Sequence, residues 1–190
     1  SAGSYTLTGA GAINASGNVA LTTGTFTEST SALTMTGAGT TLRVSAPNTL
    51  NSLVINSGGT VSILTDDLTV GGNLNVSAGT FDTNGTSLSV TGTATVGGTL
   101  DGSTAPDSIT VTGNTTAAGT INLNGGDFAT DVLTVSGTLA ASGTETITVN
   151  GNLDFSSGGN NFTQNNSLVV MQGAATSLWA PEESFYDIDF

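Results

Sequence analysis

The chain has 190 residues, 27 of them Gly, with 14 acidic side chains against one basic one, no His and no Cys, for a formal charge of −13. Nothing in it can neutralise phosphates, which excludes nucleic acid and an anionic membrane surface as partners. Without His or Cys there is no histidine acid–base chemistry, no thiol nucleophile and no zinc site of the usual kind, and the natural counter-ions are hard, oxygen-seeking cations such as Ca2+.

Aliphatic residues are plentiful and regularly spaced, so the chain is ordered, and no apolar run approaches the roughly 20 residues of a membrane span. It begins with Ser and shows no leader, and reads as a mature product or an excised piece. Its acid-rich, nearly Lys-free composition predicts an extracellular or cell-surface location.

From the N-terminus, the phrase apolar–x–apolar–x–Gly returns as "YTLTG" (5–9), "LTMTG" (33–37), "LSVTG" (88–92), "ITVTG" (109–113), "LTVSG" (133–137) and "ITVNG" (147–151), with looser copies between them. Each reads as a short alternating strand closed by a Gly able to take the positive φ of a tight turn. Further short phrases follow in fixed order, as in "LTVGG", "NLNVSAG", "TFDTNGTS", so one unit is strand, turn, strand, turn, short strand, polar loop. The leading strand recurs at Leu68, Leu88, Ile109, Leu133, Ile147, Leu168 and Ile188, mostly 20–24 residues apart with a shorter interval of 14.

This repetition predicts one right-handed parallel β-solenoid over residues 1–190, of about nine coils with three short strands per coil. Leu88 and Val90, Ile109 and Val111, and Leu133 and Val135 would point inward; Ser89, Thr110 and Thr134 would point out. A β-sandwich is the alternative, but it does not explain why the three-part phrase recurs in one order.

The last residues read differently, with aromatics and acids arriving together in "SLWAPEESFYDIDF" (177–190). Residues 167–190 align with 31–58: Met171 on Met35, Pro181 on Pro47, Ile188 on Leu53 and Phe190 on Ile55. The spacing predicts that 177–190 is an interface segment completing a coil with residues 1–9 of a neighbouring copy. Trp179, Phe185, Tyr186, Ile188 and Phe190 would then meet Tyr5 and Leu7. An aromatic cap on a solenoid that stops there is the other reading. Glu182, Glu183, Asp187 and Asp189 crowd the same joint, either as a Ca2+ site between copies or as a charged edge that discourages pairing.

The "LTVxG-NLxVxxG-TFxxxxxS" phrasing resembles the passenger rods of bacterial autotransporters and filamentous-haemagglutinin-like adhesins, over essentially the whole chain. That resemblance implies a secreted or cell-surface β-helix used for adhesion, coating or fibre building, and it carries over no functional residue.

No catalytic constellation stands out. A lyase of the pectate type would want basic residues beyond Arg43, and the scattered acids, such as Asp82, Asp101 and Asp127, fall in expected loops rather than facing pairs. The chain therefore reads as a non-enzyme without a cofactor, Ca2+ at the joints apart. The expected role is a structural subunit or repeat segment of an extracellular fibre or surface coat, assembling head to tail with copies of itself. The alternative is a monomeric recognition rod that binds carbohydrate, a host surface or ice through Thr-x-Thr ranks at Thr6/Thr8, Thr34/Thr36 and Thr110/Thr112. Six N-x-S/T sequons are present, at Asn14, Asn75, Asn84, Asn114, Asn161 and Asn165.

Overall fold

The computed structural model describes residues 4–7, 9, 11–155, 161–174 and 176–190. The described chain contains strands and turns without a helix, wound into a parallel β-solenoid of about nine turns. The first strands are β1 (Ser4–Leu7), β2 (Ala12–Ala15), β3 (Val19–Leu21), β4 (Thr25–Glu28), β5 (Ala32–Met35) and β6 (Thr40–Val44). Next come β7 (Ser52–Ile63), β8 (Leu68–Val70), β9 (Leu74–Asp82), β10 (Leu88–Val90), β11 (Ala94–Val96) and β12 (Thr99–Asp101). They are followed by β13 (Ser108–Val111), β14 (Thr115–Ala117), β15 (Thr120–Asn122), β16 (Asp127–Thr130), β17 (Leu133–Val135) and β18 (Thr138–Ala140). The last are β19 (Thr146–Val149), β20 (Leu153–Asp154), β21 (Phe162–Thr163), β22 (Leu168–Met171), β23 (Leu178–Trp179) and β24 (Asp187–Asp189).

Each coil contributes to three faces, and every strand pair is parallel. On the first face, Leu68, Leu88, Ile109, Phe128, Ile147, Val169 and Ile188 stack in register. The second face stacks Ile13, Leu33, Leu53, Leu74, Ala94, Thr115, Leu133, Leu153 and Leu178. The third face stacks Val61, Phe81, Leu100, Ile121, Leu139 and Phe162. These inward columns form one continuous core, and most members from Leu33 to Val169 are fully buried. Alternation along each strand sends Ser89, Thr110 and Thr134 outward, as the pattern predicts.

Three expectations change. Leu133 belongs to the second face, and the first-face strand of its coil is "DFAT" (127–130), centred on Phe128. With Phe128 in place the interval of 14 disappears, and the first-face column advances by 19–22 residues per coil. The apolar–x–apolar–x–Gly phrase specifies a strand and its turn, not a face: "LTMTG" (33–37) sits on the second face and "LSVTG" (88–92) on the first.

The second change concerns glycine. Gly92 and Gly113, at the corner between first and second faces, do not have positive φ. A Cβ on Gly92 would lie 2.6 Å from the Gly72 carbonyl oxygen, and one on Gly113 would lie 2.6 Å from that of Gly92. These positions need the missing side chain because successive corners nest at one strand spacing. The expected positive φ is met at Gly9 (φ 94°), which closes "YTLTG", and left-handed backbone also marks the third corner, where Asn84 (φ 50°), Asn124 (φ 54°) and Asn165 (φ 42°) recur. Asn84 Nδ2 donates to the Ile63 carbonyl and Asn124 Nδ2 to that of Gly102, each at 3.0 Å, and Asn165 Nδ2 to Ala141, so each ties its coil to the preceding one.

Third, the aligned segments 31–58 and 167–190 lie one face apart: Leu53 is on the second face and Ile188 on the first. β1, which among the described residues pairs only with β4, lies on the same side as β24, so the two ends are not successive parts of one coil in phase.

Not every inward position is aliphatic. Thr115 and Thr130 face in, are almost fully buried and share a 2.9 Å hydroxyl–hydroxyl bond, and Thr130 also donates to the Gly113 carbonyl at 3.0 Å. Glu145, 1% exposed, accepts from the N–H groups of Gly125 (2.8 Å), Ser142 (2.6 Å) and Gly143 (2.8 Å). Burial alone would raise its pKa, but the Ser142 and Gly143 donors outweigh that and hold it below the ordinary glutamate value.

Candidate functional site

Two places break the stacking of strands, and they share a sequence pattern. On the first face, between β4 and β8, residues 45–51 run as an irregular segment through Ala46–Pro47. Asn48 Oδ1 accepts the Phe26 N–H at 2.7 Å, the Asn51 N–H donates to Glu28 Oε2, and Leu50 makes a lone bridge to Val70. Side chains thus replace backbone acceptors where the strand is absent. Glu28 pays for its inward position: burial pushes its pKa up against the Asn51 bond, and its Oε1 is buried without a partner. A shallow recess of about 300 Å3 opens there, lined by Thr25, Phe26, Thr27, Glu28 and Pro47 among others.

The second break is on the third face, after Ala180–Pro181. Where a strand would cover β21, Glu183 accepts instead, Oε1 from the Asn161 N–H at 2.7 Å and Oε2 from the Phe162 N–H at 3.0 Å. Phe185 packs behind it against Phe155 and Phe162, with ring centroids 6.3 and 5.5 Å away. β23 and β24 carry the other two faces, and among the described residues they pair only with β20 and β22.

This geometry redistributes the residues predicted for the joint. Ile188 is inward and half-buried over Val169, and Phe190, next in the same alternation, is 77% exposed. Trp179, 62% exposed, points out of the second-face wall in line with Asp154, not along the rod axis. Tyr186 is 65% exposed. Tyr5, Thr6 and Leu7 lie in β1, whose backbone register with Phe26, Thr27 and Glu28 is defined; Thr8 lies outside the described residues.

The four carboxylates are not drawn together. Glu183 is spent on β21, Glu182 is exposed with φ 73°, and Asp187 and Asp189 stand on the outer side of β24. Among the described residues, no group of three or more acidic side chains could hold a metal ion.

The threonine ranks also rearrange. Thr34 and Thr36 belong to the second face, whereas Thr110 and Thr112 belong to the first, so they share no array. The longest rank is on the third face, where Thr60, Thr80, Thr99, Thr120 and Thr138 stack through five successive coils. Two residues along, the neighbouring rank reads Ser62, Asp82, Asp101, Asn122 and Ala140. Sequence reading missed the long rank because Thr at the start of a third strand carries no Thr-x-Thr signature. Of the sequons, Asn84 and Asn165 have their side-chain amides committed to the backbone, as described above.

The lone cation, Arg43, projects from β6, and its Nε donates to Asp66 Oδ2 at 2.7 Å, where the Ser45 hydroxyl also donates. These two donors hold Asp66 below the usual carboxylate range. Comparison with protein families, with curated proteins and with solved structures finds no match to this chain.

Proposed function

We propose that this chain is a structural segment of an extracellular fibre or cell-surface coat, built by stacking one solenoid on the next in register. The observation that carries the reading is the state of the two outermost coils. Ile13, Ala15, Val19 and Leu21 at one end, and Leu178, Phe185 and Ile188 at the other, point inward yet are only half-buried. A solenoid gains most of its stability from coil-to-coil contact, so uncovered inward residues favour addition of another coil. The likeness in phrasing to autotransporter and haemagglutinin-like rods fits the same role, as do the low charge density of the walls and the shallow recesses. Electron microscopy of the purified protein tests it. Thin fibres with an axial repeat of roughly 43 Å, nine strand spacings, are expected; discrete single rods at all concentrations would contradict it. Adding Ca2+ tests whether the acidic groups of β24 and Glu182 need a cation to approach a neighbour.

A second reading, recognition of a surface by a monomer, is favoured by the five-coil threonine rank on the third face. It predicts binding to a carbohydrate surface, or thermal hysteresis if the surface is ice, by protein that does not associate.

A further inference from the structure

The outer side of the first face carries a hydroxyl rank that is interrupted once. Thr69, Ser89, Thr110, Ala129 and Thr148 stand in successive coils, each in register with the next. Ala129 lies on β16, the fourth of the seven strands that run from β8 to β24 on this face, so its surroundings do not depend on either end of the rod. Its methyl group leaves a gap between Thr110 and Thr148, which are two strand spacings apart, about 10 Å. Beside this rank runs a second, in which Asp127 lies between Ser108 and Thr146. A recess of about 330 Å3 opens there, lined by Ser108, Thr110, Asp127, Ala129, Thr146 and Thr148.

The fold makes little use of the polar groups around this recess. Among the described residues, the hydroxyls of Ser108, Thr110, Thr146 and Thr148 make no hydrogen bond. Of the Asp127 carboxylate only Oδ1 is engaged, accepting the Thr146 N–H at 2.8 Å. The carboxylates of the third face differ. Asp82 accepts from the Ser62 hydroxyl and the Asn84 N–H, and Asp101 from the side-chain amides of Asn122 and Asn124. The third-face threonine rank is also unbroken through its five coils, so no gap opens in it. In the recess beside Glu28, the side chains of Asn48 and Glu28 are committed to backbone N–H groups.

Four hydroxyls that can donate and accept, one carboxylate oxygen that accepts, and a methyl group among them match a ligand with several hydroxyls and a small C–H face. A pyranose ring has that chemistry. Charge narrows the class further. The recess holds a carboxylate, and the chain's one basic side chain, Arg43, is bonded to Asp66 on the third face, so nothing here pairs with a uronate or sulfate group. We propose that this recess is a subsite for one neutral hexose unit of a surface polysaccharide, with Asp127 accepting from ligand hydroxyls and Thr110 and Thr148 bracketing the ring. The proposal rests on the second reading above, recognition of a carbohydrate surface, and moves the contact from the third face to the first. It is independent of how copies associate, since stacking of rods leaves this wall open.

The test probes an array of neutral and acidic saccharides with the full chain, then titrates the neutral saccharide bound best by calorimetry. Ala129→Thr fills the gap with the residue that holds the same position one coil before and one coil after, so the fold has room for it. It is expected to weaken binding about tenfold or more. Asp127→Asn keeps an oxygen for the Thr146 N–H and removes the charge, and is expected to weaken binding about fivefold. Binding that survives both substitutions overturns this site; if Thr99→Val then abolishes it, the second reading stands on the third-face rank instead. A preference for acidic saccharides overturns the chemistry assigned to the recess. Absence of any bound saccharide would sink both this site and the carbohydrate form of the second reading, and would leave the fibre reading untouched.

Discussion

Residues 50–55 and 185–190 have nearly the same pattern and opposite fates. Leu50, Leu53 and Ile55 are sealed in the core, whereas Phe190 at the end of the second segment is largely in solvent. Nothing in either segment alone accounts for the difference. Burial in a solenoid is conferred by the coil above and the coil below, so an inward-facing residue is only half a core position until its neighbour arrives.

The sharpest way to break that comparison is to truncate matching positions. Leu53→Ala should cost about 3 kcal/mol in chemical denaturation, as a fully buried leucine does. Ile188→Ala, measured below the concentration of association, should cost about 1 kcal/mol or less, since half the contacts are absent. Equal costs would mean that the terminal rung is already as well packed as the middle.

Glycine corners offer a second contrast. Gly113→Ala drives a methyl group to within 2.6 Å of the Gly92 carbonyl oxygen and should lower stability by about 2 kcal/mol, seen as a fall in Tm. Gly11, in the first coil, has nothing within 4 Å of its missing Cβ, so Gly11→Ala should change stability by no more than about 0.5 kcal/mol.

The two inward carboxylates extend the contrast to pH. Glu145 has a folded pKa below its unfolded value, so its stabilisation is complete above the unfolded value and is lost as pH falls through the lower, folded one. Glu145→Gln should therefore destabilise by about 1–2 kcal/mol at pH 7, and the gap to the unaltered protein should close on acidification. Glu28 has the opposite sign: its raised pKa costs stability as pH rises past the ordinary value, so Glu28→Gln should stabilise the first coils at pH 7 and be neutral in acid. Thermal melts at pH 7 and pH 3 read both. The smallest effect concerns Arg43, held within β6 between β3 and β7 and bonded to Asp66. A protease that cuts after Lys or Arg should leave the folded chain intact, and early cleavage there would mean that these coils open independently.

The architecture was legible because inward aliphatics must recur wherever coils stack, and the recurrence at Leu68, Leu88 and Ile109 is nearly regular. Phase was not. Phe128 was passed over because "DFAT" lacks the closing Gly, and Leu133 took its place because one phrase serves any face. The closing glycines divide, Gly9 taking the positive φ and Gly92 and Gly113 not, since a corner that needs no Cβ looks in sequence like a corner that needs positive φ. Of the joint, the kinship of Pro47 with Pro181 was visible. The capping by Asn48 and Glu183 was not, because side chains that replace backbone acceptors leave no periodic trace. Trp179 reads in the sequence as part of the interface segment, and its register with Asp154 turns it onto the wall.

Hydrogen exchange followed residue by residue, across a concentration series, addresses the account most directly. At low concentration the amides of 185–190 should exchange far faster than those of 50–55. As copies associate, protection at 185–190 should rise toward that of 50–55, with a matching rise in β2 and β3. Association that leaves the amides of 185–190 and of β2 and β3 unprotected would contradict the stacking of coil upon coil.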